Sequence, residues 1–184
     1  MLLNKLPVLD KGHVAFIDSS LSGKVMKSIE DHHFKGKINK ELLESASLTM
    51  EIRCPLFFLT FLLQHGVKTV NTIEKEIECY IPDVSEIKTS DIAVNKDIAD
   101  HMKQTTEALL MTSKAFEQDG LDKSTSYLLT PVSVYNTVVV TGSLTQWIKL
   151  ISKKRPYAIQ AYNDVIKDVM EAEWPKLHTY IKGI

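Results

Sequence analysis

The sequence predicts a mixed α+β domain spanning residues 1–184, and three observations predict it. Short stretches alternate apolar and polar residues as strands do, longer stretches repeat their apolar residues every three or four positions as helices do, and the two kinds are interspersed without an internal repeat, a low-complexity tract or a sustained heptad. The chain is 184 residues long and 44% hydrophobic, enough for one sizeable core.

The elements follow in order. His13 to Asp18 (HVAFID) reads as a strand, with Val14 and Phe16 or Ala15 and Ile17 facing inward. Leu21, Val25 and Ile29 then form one helical stripe, capped by Ser20 or Ser22, and INKELLESA is a shorter helix beginning near Asn39. Leu48 to Arg53 alternates cleanly, with Leu48, Met50 and Ile52 on one face. Pro55 fits the first helical position of PLFFLTFLLQ, a helix apolar all round and therefore central.

After Asn71, IEKEIECYIP alternates again and Pro82 closes it as a strand. Residues 83–95 read as an exposed linker, Lys96 to Gln118 as a long helix, and LDKSTSYLL as a short helical piece. The β-branched run from Val132 to Val140 is the strongest strand signal, and LTQWIKLIS and Pro156 to Glu173 are helices, the latter with Ile159, Tyr162, Ile166 and Val169 on one side.

Composition excludes several functions. With 22 Lys and Arg against 23 Asp and Glu the formal net charge is −1, so no global field recruits nucleic acid or an anionic membrane. The apolar run from Pro55 to Leu63 falls far short of the roughly 20 residues that span a bilayer, and the N-terminus is too short and too charged for a signal peptide. Cys54 and Cys79 have neither disulfide-framework nor zinc spacing, so a soluble cytoplasmic protein with two reduced core thiols is expected.

The glycines never cluster into a phosphate loop, and no G-x-S-x-G elbow surrounds a serine. Glu30-Asp31-His32-His33 places neighbours about 100° apart on a helix, where they cannot converge on one ion, so no metal is expected. His65-Gly66 reads as a helix cap, because glycine permits the left-handed turn and an imidazolium complements the carbonyl pole. Lys153, Lys154 and Arg155 stand before Pro156, either as the solvated end of one helix or, near the start of the next, as a phosphate site.

Three stretches, LDKGHVAFID, LTMEIRCPLFFLTFLLQHGVKTVN with ECYIP, and LLTPVSVYNTVVVTGSLTQWIKLISKKRPYAIQAYNDVI, together resemble the flavin-dependent thymidylate synthases, in the family's order and over most of the chain. The family uses FAD, NADPH and methylene tetrahydrofolate to methylate dUMP reductively. The resemblance implies a small, mainly antiparallel sheet around the central apolar helix and a cytoplasmic homotetramer with sites built between subunits.

Against the family signature R-H-R-x-x-S-x-N-E-x-S-x-R-Y, the first Arg falls on Gln64, the His on His65, the second Arg on Gly66, the first Ser on Thr69, the Asn on Asn71 and the Glu on Thr72. The loop with the second Ser, third Arg and Tyr has no counterpart. The family's N-x-R-S-L meets Gly142-Ser143-Leu144-Thr145-Gln146, its later Arg falls on Lys153 or Lys154, and the His of its H-A-Q on Tyr157.

The resemblance thus implies His65, Thr69 and Asn71 for FAD and Lys153, Lys154, Arg155 and Tyr157 for a pyrimidine nucleotide. Two readings follow. One is a divergent flavin enzyme modifying C5 of a pyrimidine nucleotide, for which the flavin carries the hydride and the polypeptide orients it. The other is a catalytically silent relative serving binding, assembly or regulation, as a homo-oligomer or with an intact paralogue that completes the site.

Overall fold

In a computed structural model the described residues are 4–20, 27–28, 31, 40–71 and 77–174. They build a five-stranded sheet in the order β1-β2-β3-β5-β4, with β1 at Lys5–Val8, β2 at Gly12–Ser19, β3 at Ser47–Pro55, β4 at Lys68–Asn71 and β5 at Tyr135–Ser143. The pairs β1/β2, β2/β3 and β4/β5 are antiparallel, and β2 carries a bulge between Phe16 and Asp18. The helices are α1 (Lys40–Ser45), α2 (Leu56–Gln64), α3 (Ile92–Gln118), α4 (Lys123–Ser126), α5 (Leu144–Ile151) and α6 (Tyr157–Glu173). The α+β class and the antiparallel sheet are as expected.

The chain divides into two compact units. The first, Met1–Cys54, Phe58–Glu74 and Asn136–Ile184, holds the sheet, most of α2, and α1, α5 and α6. Its core follows the strand alternation: Leu48, Met50, Ile52 and Cys54 on β3 and Val138 and Val140 on β5 are buried, together with Phe58 and Leu62 of α2 and Trp147, Tyr162 and Ile166 of the last two helices. Tyr162 stacks on Phe58 with ring centroids 4.4 Å apart, and its hydroxyl donates to the Arg53 carbonyl at 2.8 Å. That reach requires Gly12, since a Cβ there would lie 2.0 Å from the Tyr162 oxygen. The second unit, Pro55–Phe57 and Lys75–Tyr135, is built around the long α3 and the chain returning beside Tyr80.

Several expectations are corrected. Pro55 ends β3 rather than opening α2, and α2 is not apolar-buried all round, because Thr60 and Leu63 are exposed. The strand expected after Asn71 reduces, among the described residues, to an isolated bridge between Cys79 and Val134 flanked by Tyr80 N–H to Ser133 O and Tyr135 N–H to Glu78 O. Cys79 and Tyr80 are both buried there, so the apolar alternation does not sort two faces. Helix α3 starts at Ile92, inside the expected linker, because Asp91 caps it through the Ala93 amide. Strand β5 begins at Tyr135 rather than Val132, and β1 and β4 were not expected at all. The helical stripe of Leu21, Val25 and Ile29, and Glu30, His32 and His33, lie outside the described residues.

On the other side of β3 the sheet carries an ion cluster: Lys5 Nζ and His13 Nε2 each lie 2.8 Å from Glu51 Oε1, and a carboxylate only accepts, so both donate. Burial pushes the Glu51 carboxyl up, but the hydrogen bonds and charges of Lys5 and His13 outweigh it and hold the group below its ordinary value. A carboxyl depressed in the folded state adds stability at neutral pH, which is lost as pH falls below about 4.3. Glu51→Gln is therefore expected to flatten the acid limb of a plot of unfolding free energy against pH; an acid limb identical to that of the unmodified protein would contradict it.

Candidate functional site

The turn that closes α2 is self-contained. Gly66 adopts φ +75°, the left-handed cap conformation, and its amide donates to the Leu63 carbonyl at 3.0 Å. His65 packs on Phe61 with ring centroids 4.4 Å apart, and its Nδ1–H donates to the Phe61 carbonyl at 2.9 Å. Nδ1 is thereby engaged with its own helix, so a ligand must use Nε2. The cap reading of His65-Gly66 holds.

The turn is also tied to the start of α5. Ser143 and Gln146 form a capping box, with the Ser143 amide donating to Gln146 Oε1 at 2.7 Å. The same side chain spends its Nε2–H on the Gly66 carbonyl at 2.7 Å. Gly142, one residue earlier, has no room for a side chain: an added Cβ would meet Val67 Cγ1 at 2.8 Å and Trp147 Nε1 at 3.1 Å. Gly66, which meets the second arginine of the family signature, is exposed and held by its positive φ, whereas Gly142 is enclosed by Val67 and Trp147. Beyond the turn, Thr69 is half-buried opposite Val140 and Asn71 stands opposite Val138 in the β4/β5 ladder.

The corner between α5 and α6 is where the cations gather. Asn163, buried on α6, donates to the Leu150 carbonyl at 3.2 Å and so holds the end of α5 against α6. The Arg155 amide donates to Gln160 Oε1 at 2.9 Å, which fixes the backbone just before α6. Lys153 and Lys154 are exposed on this loop, and Tyr157, the first residue of α6, is 50% exposed. Pro156 is the N-cap, so no side chain caps the helix. The basic cluster thus fills the loop between Ser152, the C-cap of α5, and Tyr157, the first residue of α6.

Arg155 joins this corner to the turn. Its guanidinium lies over the Phe61 ring, 5.1 Å from the centroid, while its buried Nε has no hydrogen-bond partner. Phe61 thus touches both Arg155 and His65, so the two candidate residues share one aromatic neighbour. Phe61 was invisible as a site residue inside an apolar run. Gln146 could have been found, because Ser143-Leu-Thr-Gln146 has capping-box spacing. Among the described residues no group of histidine, cysteine and acidic side chains could hold a metal, and no helix is long and apolar enough to cross a membrane.

No family model matches the sequence, and no curated protein matches it. Among solved structures, the fold is similar to the crystal structure of PolB, a UMP/dUMP methylase from Streptomyces cacaoi bound with 5-Br UMP, with a TM-score of 0.69 and 16% identity over 92% of each chain. At that identity the likeness establishes a shared fold.

Proposed function

We propose that this chain binds a pyrimidine nucleoside monophosphate at the α5–α6 corner and does so without a flavin, which makes it a nucleotide-binding relative of the thymidylate synthase fold rather than a self-sufficient enzyme. One observation carries the reading: Arg155 is seated on Phe61 with a buried, unpartnered Nε beside a helix start that no side chain caps. A phosphate would accept from the guanidinium and the first-turn amides, with Lys153 and Lys154 adding charge. Tyr157 offers an exposed ring for a base, and the ligand of PolB, 5-Br UMP, is a nucleotide of this class.

A flavin is a different matter. The family signature flanks its histidine with two arginines, which pair phosphate through charge-assisted forks, and the turn supplies Gln64 and Gly66 instead, with Gly66 latched by Gln146. With His65 and Asn71 kept but these cations absent, the reading assigns the turn no FAD. Reductive C5 chemistry, with the NADPH and methylene tetrahydrofolate it uses in the family, has no hydride carrier without one, so the reading stops at binding.

Calorimetric titration with UMP, dUMP and uridine tests it. Saturable binding of a monophosphate, absent for uridine and weakened at least tenfold by Arg155→Ala, is expected, tenfold being about 1.4 kcal/mol. Failure of both monophosphates to bind would refute the nucleotide site. Freshly purified protein is expected to be colourless and to leave the FAD spectrum unchanged; a flavin band that shifts on adding dUMP would restore the enzyme reading.

A further inference from the structure

The stretch that carries the cations is clasped at both ends by α6. At its far end the Arg155 amide donates to Gln160 Oε1 at 2.9 Å, and at its near end the buried Asn163 donates from Nδ2 to the Leu150 carbonyl at 3.2 Å. Residues three apart on a helix share a face, so two carboxamides one turn apart grip the chain on either side of Lys153 and Lys154. The grip at Gln160 is itself braced. Its Nε2–H donates to Asp164 Oδ1 at 2.7 Å, one turn further along. Both ends of this carboxamide are engaged by the protein, as in a support rather than a ligand contact.

Little else holds Arg155 in place. Pro156 carries no amide hydrogen and keeps φ at −54°, and a residue before proline is confined to extended backbone, which sets the direction of the chain but not its position. Among the described residues no carboxylate pairs with Lys153, Lys154 or Arg155. The guanidinium rests on Phe61 with its Nε unpartnered. A ring face attracts a cation without fixing its orientation as a hydrogen bond does.

We infer that Gln160 is a positioning residue for the nucleotide site: by holding the Arg155 amide it keeps the guanidinium seated on Phe61, where a phosphate can meet it. The inference rests on the nucleotide reading for its ligand and on the Gln160–Arg155 bond for its mechanism. A side chain already held in its bound place need not be ordered by the ligand, and that preorganisation appears as affinity.

NMR of the full chain without ligand reads the seat. The Arg155 Nε–H is expected as a resolved, slowly exchanging signal, with the Arg155 δ protons moved upfield by the Phe61 ring. Gln160→Met, which keeps the length but removes donor and acceptor, should return both to the values of an exposed arginine. Calorimetry reads the consequence. Gln160→Met should weaken UMP binding at least fivefold, yet change it less than twofold in an Arg155→Ala background, where nothing is left to position. Gln160→Glu combined with Asp164→Asn keeps both bonds with the second one reversed, and should recover the Arg155 signal and bring affinity back to within threefold, which a general loss of folding could not do.

An exposed-arginine signal in the unmodified protein, a signal unchanged by Gln160→Met, or an equal loss of affinity with and without Arg155 would each overturn the inference. If the Arg155 signal responds to Gln160→Met but the unmodified protein binds no UMP, the nucleotide reading falls and the role of Gln160 with it, through the ligand rather than the tether.

Discussion

Replacing Gly142 by arginine is expected to lower the unfolding free energy by about 4 kcal/mol and to bring no flavin binding with it. Gly142 opens the segment that meets the N-x-R-S-L motif of the flavin-dependent thymidylate synthases, so restoring a cation there would be a naive repair. The surroundings forbid it. An added Cβ would come to 2.8 Å from Val67 Cγ1, and Val67 is itself buried with a stiff, β-branched side chain that cannot swing aside. Beyond the Cβ, a guanidinium would enter a site lined by Val67 and Trp147, which offer it no anion.

Gly142→Ala, which adds the Cβ alone, is expected to cost about 1–3 kcal/mol. Urea unfolding followed by circular dichroism measures both. A Gly142→Arg protein as stable as the original, with FAD bound, would show that the glycine is an accident of sequence rather than a packed position.

The comparison of these residues shows what the sequence could convey. Helices α5 and α6 were legible because their apolar residues recur at the helical period and that face is buried, and α2 because its apolar run is nearly continuous. Strand β4 was not, because Lys68-Thr-Val-Asn71 has no apolar alternation: it is a strand by virtue of its ladder with β5, a long-range partner that composition does not encode. Conversely, Ile77, Cys79 and Ile81 alternate as a strand should, yet the described chain there makes only one bridge.

The site divides the same way. The cap at Gly66 is a local signal and was read from its own segment. The seating of Arg155 on Phe61 joins two distant segments, and nothing near either residue announces it. Gln146 lies between these cases, since its capping box is local while its bond to Gly66 is not.

Trp147 ties α5 to the sheet, and Trp147→Ala is expected to cost about 3–5 kcal/mol. The indole is wholly buried, its Nε1–H donates to the Leu48 carbonyl on β3 at 3.1 Å, and it forms one wall of the space that position 142 must leave empty. Trp147→Phe separates these contributions. It keeps most of the aromatic volume but leaves the Leu48 carbonyl without its donor, and is expected to cost about 1–3 kcal/mol.

Because the atom nearest to an added Cβ at Gly142 after Val67 Cγ1 is Trp147 Nε1, the two positions are coupled. Gly142→Ala should therefore cost less in the Trp147→Phe background than in the original protein, by at least about 0.5 kcal/mol. Denaturant midpoints of the two single variants and the double variant give this coupling directly. Strict additivity would mean that Val67 alone excludes a side chain at 142, and a Trp147→Ala cost below about 1 kcal/mol would mean that the indole is not the keystone its burial implies.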